Sequence, residues 1–195
     1  MSRFVRLLAL LPIIGLPLLS GCVAAVVGGA AIGADAVHDR RGIGTVLADK
    51  NIQLSAYEAI NHDEQLARHN RVSIVVYDGI LLLIGEVRNE DLKIRAGRLV
   101  SGFNGVKRLV NDLEVGEPGG FWARRHDSFL TARVKTALLD IRTDGFDPTR
   151  VNVTTAHDVV YLLGLVSHAE DDAVTAIARN VRGVERVVKI FEYTD

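Results

Sequence analysis

The second half of the chain repeats the first, and this duplication constrains the fold more than any other feature of the sequence. The stretch "VSIVVYDGILLLIGEV" from Val72 aligns with "VNVTTAHDVVYLLGLV" from Val151 at an offset of 79 residues. Further on, "NGVKRLVNDLEV" from Asn104 aligns with "RGVERVVKIFEY" from Arg182 at an offset of 78. A solenoid needs more repeats than this to cover its ends. The pattern therefore predicts two complete small domains.

Each copy has the residue pattern of a helix, two strands, a second helix and a third strand. In the second copy, Asp127 or Ser128 stands where the N-cap of the first helix is expected. Apolar residues recur at helical spacing on one face of this helix in both copies. They are Ile52, Ala56, Ala59 and Ile60 in the first copy, and Leu130, Val134, Ala137 and Leu138 in the second.

Two apolar, β-branched runs follow in each copy, and they predict a hairpin. The turn falls at Asp78-Gly79 in the first copy, a dipeptide favoured in type I′ turns, and at His157-Asp158 in the second. The next helix begins with a capping signal. This signal is Asn89 in the first copy and the pair Ser167 and Glu170 in the second.

The predicted fold class is α+β, with two tandem αββαβ open sandwiches. Each would be a three-stranded mixed sheet that two helices cover on one face. The other face of each sheet must then be solvated, paired or used for binding. A copy of about 70 residues is marginally stable alone, so we expect the two domains to pack against each other.

The N-terminal segment has the features of an export signal. Arg3 and Arg6 precede the apolar run 7–18, which is too short to span a membrane and suits the core of a signal peptide. The sequence from Leu19 to Cys22 resembles the bacterial lipobox, in which the cysteine is acylated and becomes the new N-terminus. We therefore predict a lipoprotein signal peptide over residues 1–21 and lipid attachment at Cys22, which is the only cysteine of the chain.

Composition divides the rest of the chain. Residues 23–34 are almost all small and apolar, and the stretch Gly116-Glu117-Pro118-Gly119-Gly120 has the composition of a linker. The predicted segments are an acylated tether over 22–48, a first domain over 49–116, a linker over 117–121 and a second domain over 122–195.

Acylation and charge limit the location and the partners. Two or more acyl chains make membrane anchoring effectively permanent. Val23 follows the cysteine in place of the aspartate that retains Gram-negative lipoproteins in the inner membrane, so we expect the outer membrane, with the protein facing the periplasm. Loss of the signal removes two of the 23 basic residues, which leaves 21 against 24 acidic ones. This balance gives no indication of nucleic-acid binding.

Both copies resemble the BON family of bacterial domains, whose marks are a central glycine after the hairpin and a late Gly-Val step. The glycines are Gly85 and Gly164, and the steps begin at Gly105 and Gly183. The chain as a whole is similar to the dual-BON outer-membrane lipoproteins. That resemblance implies a periplasm-facing protein that binds anionic phospholipid through its second domain and supports outer-membrane integrity, with outer-membrane assembly proteins as further partners.

The resemblance directs attention to one helix of the second domain. Because Leu130 belongs to the core face, a rotation of 100° per residue places Phe129 and Arg133 to one side, with Thr136 next along the same stripe. Family members carry tryptophan at the position of Phe129. Together with Arg124 and Arg125, these residues form the predicted phospholipid-binding site.

The repeat provides an internal comparison, because the first copy has Asn51 and Ser55 where the second has Phe129 and Arg133. Two alternatives stay open. Phe129 could cover the aromatic pair Phe121-Trp122, or the same surface could bind a protein rather than a membrane.

The sequence indicates no catalytic residues, metal ligands or cofactor. The six histidines have no paired spacing typical of a metal site, and the contiguous run His126-Asp127-Ser128 cannot form a triad because consecutive side chains diverge. The acidic run Glu170-Asp171-Asp172 is expected in the first turn of a helix, where carboxylates interact favourably with the helix dipole. A non-enzymatic protein is therefore predicted.

Overall fold

A computed structural model describes residues 39–68, 70–143 and 145–195. The predicted signal peptide, Cys22 and most of the predicted tether lie outside the described residues. The elements of the first domain are α1 (Ile43–His62), β1 (Arg71–Tyr77), β2 (Ile80–Val87), α2 (Glu90–Ser101) and β3 (Arg108–Val115). Those of the second are α3 (Phe121–Leu138), a 3₁₀ turn at Pro148–Arg150, β4 (Val151–Ala156), β5 (Val159–Val166), α4 (His168–Arg179) and β6 (Arg186–Tyr193).

Both domains have the predicted mixed sheet. β1 and β2 form an antiparallel hairpin, and β3 pairs in parallel with β2, so β2 is the central strand. β4, β5 and β6 repeat this arrangement. A parallel pair needs a crossover, which α2 and α4 provide. The αββαβ fold predicted from the repeat is confirmed.

The capping predictions have different outcomes. Asn89 accepts a hydrogen bond from the backbone of Leu92, and Ser167 forms a complete capping box with Glu170, as predicted. The N-cap assignment at Asp127 or Ser128 is wrong, since α3 begins at Phe121 and Gly120 is its N-cap.

The error has a physical cause in the pairing of Asp127. An aspartate before an apolar periodic run is typical of an N-cap, but Asp127 is buried in the middle of α3. Its carboxylate lies 2.6 Å from Nη2 of Arg71 in the first domain. A tertiary ion pair therefore holds this residue inside the helix.

Three apolar clusters make up the interior of the part of the chain that the structure describes. One lies between α1, α2 and the first sheet, and another lies between α3, α4 and the second sheet. The third is formed by the remaining faces of the two sheets, including Leu82 and Ile84 from β2 and Tyr161 and Leu163 from β5. The face that two helices cannot cover is thus paired with the other domain.

The backbone φ angles explain which residues occupy the hairpin turns and why the first central position, residue 85, is a glycine. Asp78 and Gly79 have φ values of 49° and 75°, and His157 and Asp158 have 49° and 61°, as type I′ turns require. Gly85 has a φ of 111°. A Cβ added there would overlap the carbonyl oxygen of Arg71. The backbone at Gly85 therefore disfavours any side chain.

Candidate functional site

The outer surface of α3 carries three exposed aromatic side chains. Phe121 is 55% exposed, Trp122 is 78% exposed and Phe129 is 61% exposed. Phe121 and Trp122 contact each other edge to face, with ring centroids 5.5 Å apart. Phe121, the last residue of the predicted linker, is the first residue of α3. Phe129 remains exposed beside this aromatic pair. The prediction that Phe129 faces outward is confirmed.

Aromatic and basic side chains alternate along this surface. Phe121, Arg125, Phe129 and Arg133 follow each other at intervals of four residues, so they lie on one stripe of the helix. The guanidinium carbon of Arg125 lies 5.4 Å from the ring centroid of Phe121, and that of Arg133 lies 5.7 Å from the centroid of Phe129. Each aromatic ring therefore has a cation at cation–π distance on its C-terminal side. We call these four residues the α3 stripe.

A shallow groove runs beside the α3 stripe. It has a volume of about 460 Å³ and is lined by Phe121, Arg124, Arg125, Ser128 and Phe129. The hydroxyl of Ser128 donates to the carbonyl oxygen of Arg124, so it is already used within the helix. The groove is therefore lined by apolar rings and guanidinium groups.

Thr136 is exposed farther along α3 but offers less to a ligand. Its hydroxyl donates to the carbonyl oxygen of Ala132 at 2.9 Å. Lys135 is also exposed, and it adds a fourth basic residue to Arg124, Arg125 and Arg133 on this helix. The acidic residue of α3 is the buried Asp127, so the exposed surface of this helix is basic.

The matching helix α1 has a different surface chemistry. The positions that correspond to the α3 stripe hold Ile43, Leu47, Asn51 and Ser55, with no basic residue among them. At the position of Thr136 stands Glu58. The two corresponding helices therefore present different surfaces, and of these two helices only α3 carries a stripe of alternating aromatic and basic residues.

A second exposed surface, made of apolar side chains, lies on α1. The comparison of Asn51 and Ser55 with Phe129 and Arg133 does not reveal it. Ile43, Leu47, Leu54 and Tyr57 are 60%, 47%, 57% and 58% exposed, respectively. Their spacing places them on one side of α1, opposite the buried Ile52. We call these four residues the α1 row. Helical phase could have identified it, because the core face of α1 was already assigned.

The predicted acidic run in α4 has specific partners. Glu170 is almost fully buried, and both of its carboxylate oxygens accept hydrogen bonds from Arg40, at 2.6 and 2.9 Å. Asp171 accepts from Lys189 at 2.9 Å and from the hydroxyl of Tyr193 at 2.8 Å. Tertiary ion pairs thus use these carboxylates in addition to the helix dipole. Among the described residues, no group of three potential ligands could hold a metal ion.

Arg40 and its neighbour connect the start of the described chain to both domains. Arg40 also donates to the carbonyl oxygen of Leu165 in the second domain. Arg41 pairs with Asp49 of α1 at 2.6 Å and lies over the ring of Tyr77, 3.7 Å from its centroid. The segment before α1 is therefore held where the two domains meet.

Comparison with known proteins agrees with the duplicated fold. The profile of the BON domain matches residues 48–117 and again residues 126–195. The chain belongs to the BON family. It is 38% identical to the outer membrane lipoprotein DolP of Haemophilus influenzae over 178 residues, which cover 91% of each chain. It is also 34% identical to a 21 kDa hemolysin of Actinobacillus pleuropneumoniae, over 80% of this chain and 79% of the relative.

A more distant similarity links this BON protein to the solved structure of CdsD, a structural protein of the type III secretion system of Chlamydia trachomatis. The sequences are 16% identical, the match covers 71% of this chain and 93% of the other, and the TM-score is 0.28. Within the described residues, the helices are too short or too polar to cross a bilayer.

Proposed function

We propose that this BON protein is a non-enzymatic outer-membrane lipoprotein, anchored through Cys22, whose second domain binds anionic phospholipid and which supports the integrity of the outer membrane. The lipobox-like sequence before Cys22 supports the anchor. The similarity to DolP, which is named as an outer membrane lipoprotein, supports the location. In this proposal the protein faces the periplasm.

The observation that carries the proposal is the α3 stripe. Phe121 and Phe129 are large enough to enter the region between lipid headgroups and acyl chains. Arg125 and Arg133 lie beside these rings and would reach the lipid phosphates if the rings insert. An interfacial helix combines these two features, apolar side chains that insert and basic side chains that attract anionic headgroups.

The expected strength of binding suits a protein that is already anchored. Insertion of one phenylalanine contributes about 1.5 to 3 kcal/mol, and each arginine near an anionic surface contributes about 1 kcal/mol. The sum gives weak binding for a free protein. An acyl anchor keeps the local lipid concentration high, so a weak site is sufficient to orient the second domain on the bilayer.

The proposal is tested by vesicle binding of a chain that begins at Val23 and therefore carries no acyl group. The chain must retain Arg40 and Arg41, because these residues hold the segment before α1 to both domains. We expect binding to rise with the phosphatidylglycerol content of phosphatidylethanolamine vesicles and to fall with added salt. Binding that is independent of both would contradict the phospholipid assignment.

Charge variants locate the contact within the molecule. Arg133→Gln should weaken binding about 5-fold, the equivalent of about 1 kcal/mol. Arg98→Gln, which removes an exposed arginine from α2 of the first domain, is the matched control and should have little effect. Equal losses in the two variants would indicate that net charge, rather than α3, governs binding.

The α1 row favours a second candidate function, protein docking by the first domain. Leu54 and Tyr57 are exposed, and the groove that they line contains one basic residue, Lys50, in place of the arginines of the α3 stripe. They are therefore a poorer match for an anionic membrane. Outer-membrane assembly proteins are the candidate partners. Site-specific crosslinking from residue 54 in cells tests this idea, with residue 135 on α3 as the control, and crosslinks to a protein from residue 54 alone are expected.

A further inference from the structure

The contact between the two domains contains a cluster of charged side chains that the proposed membrane surface does not use. At its centre is His157, in the turn between β4 and β5 of the second domain. Its Nε2 contacts Oε1 of Glu86 on β2, and its Nδ1 lies 2.6 Å from Oε2 of Glu114 on β3. One imidazole of the second domain therefore bridges two carboxyl groups of the first.

This geometry requires a proton. A neutral imidazole has one N–H donor, so it cannot donate to two carboxylates at once. Both contacts form only if the ring is an imidazolium or if one of the carboxyl groups is protonated. Glu86 is fully buried, and its Oε2 has no hydrogen-bond partner among the described residues. The two contacts of the ring and the burial of Glu86 therefore both favour a bound proton in this cluster.

Two other charged groups of the cluster act in opposite directions, because the carboxylate of Asp127 favours a bound proton and the guanidinium of Arg71 disfavours it. Arg71 on β1 lies 3.0 Å from Glu86 and 2.6 Å from Asp127 on α3. The groups that face His157 are thus the carboxyl groups of Glu86, Glu114 and Asp127, with Arg71 as the cation between two of them. When His157 is protonated, two cations face three carboxylates, and loss of that proton leaves one cation.

The repeat places a related arrangement at the corresponding position of the first domain. Asp78 corresponds to His157, and Glu192 on β6 corresponds to Glu114. A hydrogen bond to Asp78 raises the pKa of the Glu192 carboxyl above its ordinary value. Two carboxyl groups can form such a bond only when one of them is protonated. Lys107 lies 2.9 Å from Asp78 and is the cation on this side.

We propose that the contact between the two BON domains is a proton-dependent clasp, in which His157 holds a proton between Glu86 and Glu114 and the contact weakens when rising pH removes it. The apolar cluster between the sheets includes Tyr77 and Tyr161, and burial raises the pKa of each above its ordinary value of 10.0. This cluster therefore persists when His157 loses its proton, and the domains loosen rather than separate. This inference is independent of phospholipid binding, because it involves the β4–β5 turn and not the α3 stripe.

The direction of the pH effect follows from linkage. Burial alone would lower the pKa of His157, but the hydrogen bond with Glu114 and the charge of Glu86 raise it above the ordinary value of 6.5. A group with a raised pKa contributes its full stability below that ordinary value and loses it as pH rises through the pKa of the folded state. Burial also raises the pKa of Glu86, which acts in the same direction. The clasp is therefore closed in mild acid and weakened in alkali.

The test compares the wild type with His157→Gln in the full-length chain in detergent. At pH 6 the wild type should melt about 2 to 4 °C above the variant, and this difference should shrink to less than about 1 °C by pH 9. His126→Gln is the matched control, because His126 is exposed and pairs with Asp158 of its own domain. That variant should keep the pH dependence of the wild type.

Amide hydrogen exchange shows whether the effect crosses between domains. At pH 6, His157→Gln should accelerate exchange in β2 of the first domain as well as in β5 of the second. If Tm changes equally with pH in the wild type and His157→Gln, or if exchange changes in β5 alone, the clasp is refuted. Should His157→Gln fail to fold, Glu114→Gln replaces it, with the NMR titration of His157 as the readout. The midpoint should lie above 6.5 in the wild type and closer to 6.5 in Glu114→Gln, and a wild-type midpoint at or below 6.5 would refute the proposal.

Discussion

Replacing Gly85 with alanine should destabilise the protein more than the same replacement at Gly164 or Gly116. The φ of Gly85 is 111°, a region that residues with a Cβ rarely adopt. Strain of this kind costs about 1 to 3 kcal/mol. The new Cβ would also overlap the carbonyl oxygen of Arg71, and overpacking of this kind costs a further 1 to 3 kcal/mol or so. We therefore expect Gly85→Ala to lower the free energy of unfolding by about 2 to 6 kcal/mol.

Two other glycines make this prediction a graded series. A Cβ on Gly164 would lie 2.9 Å from the carbonyl oxygen of Arg150 without a positive φ, so Gly164→Ala should cost about 1 to 3 kcal/mol. A Cβ on Gly116 would meet no atom within 4 Å, and this variant should change stability by less than about 0.5 kcal/mol. Urea unfolding of the three variants measures the order. A Gly85→Ala variant as stable as Gly116→Ala would refute the argument from strain and overlap.

Three further predictions concern the ion pairs and the anchor. Arg40→Ala should lower the free energy of unfolding by about 1 to 3 kcal/mol, because it leaves the buried carboxylate of Glu170 without its main partner. Urea unfolding measures this loss, and the control variant Arg68→Ala should have little effect in the same assay. Burial alone would raise the pKa of Asp171, but hydrogen bonds from Lys189, Tyr193 and Thr175 hold it below the ordinary value of 3.8. The wild type should therefore be more stable than Asp171→Asn at pH 6, and thermal melting should show this lead shrinking as pH falls below 3.8. Cys22→Ala should remove the protein from the outer-membrane fraction of cells, and unchanged fractionation would contradict the lipoprotein assignment.

Most of the fold could be predicted because each copy carries strong local signals. The turn at Asp78-Gly79 and the cap at Asn89 depend on residues that are close in sequence, and the repeat gives each signal twice. The start of α3 could not be predicted in this way. Asp127 has the local signature of a cap, and only its partner Arg71, which lies 56 positions earlier, explains why it is inside the helix.

The candidate site was predictable in part. Helical phase correctly placed Phe129 at the surface, but Phe121 was assigned to the linker because Gly119 and Gly120 precede it. Glycine can end a linker as well as cap a helix, and the sequence alone does not distinguish these roles. The cluster around His157 could not be predicted at all, since it depends on how the two sheets face each other.

Phospholipid binding through α3 is tested most directly by Phe129→Ala alongside Tyr57→Ala. The two side chains are almost equally exposed, at 61% and 58%, on corresponding helices of the two domains. Neither change should alter the free energy of unfolding by more than about 0.5 kcal/mol. Phe129→Ala should weaken binding to anionic vesicles about 10-fold to 150-fold, the equivalent of the phenylalanine insertion energy, while Tyr57→Ala should leave it unchanged. Equal binding by the two folded variants would contradict the assignment of the membrane surface to α3.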